Sequence, residues 1–205
     1  MNRVIKLLLI SDMFLVTGFG LIDPVLAIYI NDRLVGGSLF AVGLASAIYF
    51  FTKSIIELPF SRYVDSHDRS KFWLVLGTIC TAAVPFVYVF ATRIEHIYLA
   101  QVLYGIGSGL AFPTWLGLWS THLDRHHESY EWSLYQTLAG VGAGGAAAIG
   151  SALAEWVGFQ ATFIIVGVFS VASSLVLLFL QNDRTRRSPT KVPNGRNHKI
   201  KNLFR

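Results

Sequence analysis

Four ionisable side chains stand within stretches that are otherwise apolar: Asp12 and Asp23 in the first, Lys53 and Glu57 in the second. A charge at mid-membrane costs ~2.5–3.5 kcal/mol on insertion scales, so such groups face a bundle interior or a wet cavity and find partners there. Asp12 and Asp23 are eleven residues apart, which at 100° per residue leaves them within ~20° on one helical face. Lys53 and Glu57 are four apart and share a face as well, and Tyr49 and Ser46 continue that stripe. Asp12 and Lys53 each lie about seven residues, or ~10 Å, from the same end of their spans. They are therefore expected to form an ion pair or to share a polar cavity. A pair that only locks two helices and a cavity-lining role both satisfy this spacing. Asp23 precedes Pro24, with Gly18 and Gly20 close by. It either caps backbone freed by the proline or meets a substrate or proton.

Further polar candidates follow the same logic. Gln101, Ser108 and Trp115 recur every seven residues, and Gln136 lies in the next apolar stretch; they offer hydrogen bonding and stacking to a cavity, or simply bonds between helices. Gly105 with Gly109, and Gly140 with Gly144, have the four-residue spacing of small residues that lets helices approach closely. Two kinds of chemistry are not expected. Gly107-Ser108-Gly109 is close to the G-x-S-G of an intramembrane serine protease, but Ile106 holds the first glycine position and the last span has no histidine to act as base, so no enzyme is expected. His122, Asp124, His126, His127 and Glu128 sit together but lack the cysteines or second histidine pair of a zinc site, and no metal or cofactor is implied.

The elements that position these groups are membrane helices. Of 205 residues 53% are hydrophobic and 14% charged, where a soluble domain carries roughly 25% charged residues. Six apolar segments, about 4–30, 39–60, 72–91, 97–120, 132–154 and 159–180, are each long enough to cross a ~30 Å hydrocarbon core, and none alternates as a barrel strand does. The fold class is an all-α membrane protein, a bundle of six transmembrane helices. Asp12 interrupts the first run and no small-residue cleavage site follows, so that run reads as an uncleaved helix. The net charge of +5 does not indicate nucleic acid, because eight of the 17 Lys and Arg lie beyond residue 183. Fourteen of the 17 fall on one side of the membrane, with Arg33 and Arg93 on the other and Lys53 within a span. That asymmetry predicts an integral protein of the plasma (inner) membrane with both termini cytoplasmic. Residues 182–205 are basic and contain Pro189, Pro193 and Gly195, which predicts a disordered cytoplasmic tail or linker, able to lie on anionic headgroups. Cys80 is the single cysteine and forms no internal disulfide.

The connection SRYVDSHDRSK resembles the G-x-L-a-D-r-x-G-r-k loop of the major facilitator superfamily. Asp65 stands at its aspartate and Arg69 at its arginine, while Ser61, Asp68 and Ser70 depart from it. TGFGLIDPVLAIYI is similar to the family's first helix, QVLYGIGSGLAFP to its R-x-x-x-G-x-G helix with Gln101 at the arginine, and VGFQATF to the entry of its sixth helix. The Gly-Pro of the family's antiporter motif has no counterpart in GAAAIGSA. Over residues 4–181 the resemblance implies one six-helix half of a transporter that moves a small solute by alternating access. Asp65 and Arg69 would act as gating charges, and the partner would be a second six-helix bundle: a separate chain, a missing half or a second copy. The alternative is a bundle that does not transport and instead binds or regulates a partner. Drugs, sugars, amino acids and lipids all fit the aromatic and mixed-charge lining.

Overall fold

A computed structural model of the chain describes residues 2–66 and 70–180. It contains six helices: α1 Arg3–Arg33, α2 Leu39–Ser66, α3 Ser70–Val89, α4 Ile94–His122, α5 Glu128–Trp156 and α6 Phe159–Leu178. The Asn2 side chain caps α1 by accepting from the Val4 amide at 3.3 Å. At the opposite end of the bundle two connections pair: the Val35 amide donates to the Thr92 carbonyl, and the Ile94 amide to the Val35 carbonyl, each at 3.1 Å. Gly36 turns the chain there at φ 82°, where an added Cβ would also stand 3.1 Å from Ile94 Cγ2. α2 runs past Phe60 to Ser66 and carries Asp65 on its last turn, so half of the expected charged loop is helix. A span ends where lipid ends, but a helix continues into the interface because its hydrogen bonds are internal. Ser61 and Ser66 add bonds back to the Leu58 and Tyr63 carbonyls at 2.9 and 2.8 Å. Arg69 and the 182–205 tail lie outside the described residues.

Five of the helices, all but α4, are long and apolar enough to cross a membrane. α4 has 29 residues, the length of a span. α4 is held between α2 and α3. A Cβ on Gly107 would stand 2.6 Å from Thr81 Oγ1 and 2.8 Å from the Gly77 carbonyl on α3. Gly105 and Gly109 turn the other way, where a Cβ would stand 2.6 Å from Thr52 Cβ and 2.9 Å from Ile56 Cβ on α2. Two residues rotate a helix by about 200°, so alternate glycines serve opposite neighbours. On α5 only Gly142 and Gly150 face α1; Gly140 and Gly144, expected to seat a helix, meet nothing within 4 Å.

The helices pack in the order α5, α1, α6, α3, α4, α2, an arc whose two end helices are not packed together. Exchanging α1–α3 with α4–α6 maps the main contacts onto themselves: α1 on α5 becomes α4 on α2, α1 on α6 becomes α4 on α3, and α3 on α6 is self-paired. α1 and α2, consecutive in sequence, touch far less than either touches its main partners. Two apolar cores fill the ends of the bundle. One surrounds Tyr29, Tyr88, Phe163 and Val166, and Tyr29 Oη donates to the Ala91 carbonyl at 2.7 Å, tying α1 to the end of α3. The other surrounds Ile5, Leu8, Leu74, Trp119 and Leu177. There Ser11 and Ser173 pair their hydroxyls at 2.8 Å between α1 and α6.

Candidate functional site

Both cores border a cavity of about 310 Å³ to which all six helices contribute. Its wall is a stack of three rings. Tyr104 of α4 lies between Phe19 of α1, at 4.6 Å and 11° between planes, and Tyr49 of α2, at 4.3 Å and 25°. Gly105 and Gly109 allow this, because they bring the α4 backbone against α2 beside Thr52 and Lys53. Below the stack Trp115 reaches the cavity, backed by Trp119 at 5.0 Å and 17°. Thr78 and Thr81 of α3 complete the rear wall.

Of the charged candidates, Asp12, Asp23 and Lys53 line the cavity. Asp12 and Lys53 share it without pairing. Tyr135 Oη of α5 donates to Asp12 Oδ2 at 2.8 Å, whereas Lys53 Nζ lies 3.8 Å from Glu57 Oε2 and 4.4 Å from the centre of the Phe112 ring. The physical reason is the packing order: α1 rests on α5 and α2 on α4, so each charge finds its partner on the helix it packs against or on its own. Tyr49 and Trp115 also line the cavity; Glu57, Gln101 and Gln136 do not. Gln101 is buried and donates from Nε2 to Tyr88 Oη at 3.1 Å, a bond between α4 and α3. Gln136 is exposed on α5, because the roughly 100° that separates it from Tyr135 around the helix is enough to carry it out of the site. Asp65 lies on α2, away from the cavity.

Tyr104, Tyr135, Phe19 and Phe112 are cavity residues that sequence reasoning passed over. An aromatic residue in an apolar span carries no signal of its own. The usable clue was spacing: Phe19 lies seven residues after Asp12 and four before Asp23, on the face those carboxylates already defined.

The family model described as Major Facilitator Superfamily matches residues 8–205. The chain belongs to this superfamily. It is thus an integral membrane protein of a family of transporters, not of enzymes. Among its superfamily relatives, the quinolone resistance protein NorA of Staphylococcus aureus is 24% identical over 183 residues, 89% of this chain and 46% of NorA. A multi-drug resistance efflux pump PmrA homolog of Lactococcus lactis is 24% identical over 176 residues, 85% of this chain and 43% of that protein. This superfamily chain therefore spans about half the length of the curated relatives it matches, and its six-helix arc has the architecture of one superfamily half.

Proposed function

We propose that this chain is one six-helix half of a secondary transporter that exports an amphipathic aromatic solute by rocking against a second six-helix bundle. The observation that carries the reading is the open arc. All six helices contribute to one cavity, yet its end helices α2 and α5 do not close on each other. A second bundle set against those two helices would complete the cavity at the membrane midplane, the arrangement in which alternating access works. The Phe19–Tyr104–Tyr49 stack supports an aromatic solute, and the similarity to a multi-drug resistance efflux pump homolog supports export. The lysine and arginine distribution supports cytoplasmic termini in the plasma membrane, which puts the Trp115 end of the cavity toward the cytoplasm. Asp65 and Arg69 are then the inner-gate charges.

The test is reconstitution of the chain in liposomes, with particle mass measured in parallel. We expect paired bundles and saturable movement of a planar fluorescent amine, reduced at least tenfold by Tyr104→Ala. Single bundles that move no dye would overturn the proposal.

A further inference from the structure

We infer that the bundle holds an anionic phospholipid on its outer side, with the phosphate on Lys71 in a field shared with Arg3 and Lys6, and an acyl chain in the seam between α3 and α6. The site lies away from the central cavity and does not rest on the transporter reading. Lys71, on the first turn of α3, donates from Nζ to the Leu178 carbonyl of α6 at 2.8 Å, and so bridges the end of that seam. The bond engages one of the three ammonium donors and a neutral acceptor, so the charge itself stays uncompensated. Lys71, Arg3 and Lys6 have no ion pair among the described residues. The adjoining Val176 and Leu177 carbonyls are taken by the Phe179 and Leu180 amides at 3.2 and 3.1 Å. Arg3 and Lys6 stand at the same end of the bundle, because Ile5 and Leu8 of α1 pack with Leu74 of α3 and Leu177 of α6. Both are exposed and lie about 180° and 120° around α1 from Asp12, hence away from the cavity. Neither α3, α6 nor residues 3–11 of α1 contain Asp or Glu. The face built from these stretches therefore carries cations and no carboxylate.

Below Lys71 the seam is apolar to the depth of one leaflet. Phe86 of α3 lies over Gly167 of α6, where an added Cβ would stand 2.6 Å from the Phe86 Cζ. Val171 and Leu178 follow Gly167 by four and eleven residues, which keeps them within about 40° of its direction on α6. Phe72 and Ile79 precede Phe86 at seven-residue steps on α3, again within about 40°. All four are exposed, so they line the two sides of one seam. Phe86 lies fifteen residues, or about 22 Å, beyond Lys71, and half of a ~30 Å hydrocarbon core is about 15 Å. An acyl chain of one leaflet therefore fits between them. A free phosphate would use the cations alone; the apolar seam beneath them is what selects a lipid. A zwitterionic headgroup would bring its own ammonium against three cations, and repulsion of that kind favours a net anionic one.

The experiment titrates the full chain, purified in mild detergent, with phosphatidylglycerol, phosphatidylcholine and glycerol 3-phosphate, and counts bound molecules by native mass spectrometry. The chain is expected to retain a single phosphatidylglycerol, about fivefold tighter than phosphatidylcholine, the step that one basic residue at a headgroup supplies. Lys71→Gln should remove that preference and Lys71→Arg should keep it. Lys199→Gln, an equal loss of charge in the basic tail, should leave it unchanged. Ile79→Trp should fill the seam and weaken retention of both lipids, with circular dichroism reporting the fold of every variant. A preference that persists in folded Lys71→Gln, or that Lys199→Gln removes equally, would overturn the site. Displacement of the lipid by an equal concentration of glycerol 3-phosphate would overturn the role of the seam. A doubled particle mass that carries no lipid and is lost in Ile79→Trp would overturn the lipid in favour of a second copy of the chain. None of these outcomes bears on dye movement through the cavity, so this inference and the transporter reading fail separately.

Discussion

Tyr29 and Gln101 illustrate how a polar side chain in a membrane bundle serves structure without serving the site. Tyr29 Oη donates to carbonyls at and just past the end of α3, Ala91 at 2.7 Å and Tyr88 at 3.4 Å, and Gln101 Nε2 donates to Tyr88 Oη at 3.1 Å. Hydrogen bonds between membrane helices are worth ~0.6 kcal/mol on average and ~1.7 at most. Tyr29→Phe and Gln101→Leu are expected to lower stability by about that much in unfolding measurements, and Gln101→Leu to leave dye affinity unchanged. A large loss of affinity in Gln101→Leu at unchanged stability would put Gln101 in the cavity after all. Tyr135 occupies the other class, because its hydroxyl reaches a carboxylate that lines the cavity. Tyr135→Phe should therefore change dye affinity more than it changes stability.

Among the helices, α4 and α5 use similar glycine patterns for different ends. Gly107→Ala would set a Cβ 2.6 Å from Thr81 Oγ1, with backbone on both sides and little room to yield. Overpacking of this kind costs ~1–3 kcal/mol, and unfolding of that variant in detergent should show it. Gly144→Ala meets nothing within 4 Å and gains up to about 1 kcal/mol of helix propensity, so the isolated bundle should tolerate it or become slightly more stable. Equal destabilisation by the two substitutions would contradict the packing described for α4.

For the molecule as a whole, the open arc makes α2 and α5 the faces on which a second bundle would act. Gly140→Leu and Gly144→Leu are expected to leave the six-helix bundle folded, by circular dichroism and thermal unfolding, while abolishing pairing and dye movement. Wild-type transport in either variant would exclude α5 as a contact face. Sidedness can be read in a Cys80→Ser background. Cysteine at Ser66 should react with an impermeant maleimide only from the cytoplasmic side, and cysteine at Ser38 only from outside. The reverse labelling would invert the topology proposed from the Lys and Arg distribution.

The sequence by itself determined what local physics determines: six helices, from apolar runs of spanning length, and the face of α1 that carries Asp12 and Asp23, from an eleven-residue separation. The shared face of Lys53 and Glu57 was equally legible, because residues four apart meet on any helix. Pairing across helices was not. α1 and α2, though consecutive, are not close neighbours, so the partner of Asp12 came from α5, 123 residues away, and no periodicity reports that distance. Only the tertiary structure could show that Tyr104 is clasped between Phe19 and Tyr49, that Gly105 and Gly107 serve opposite helices, and that Gly140 and Gly144 face no other helix among the described residues. The division has one cause: spacing within a helix is set by the backbone, whereas contact between helices is set by which side chains leave room for a close approach.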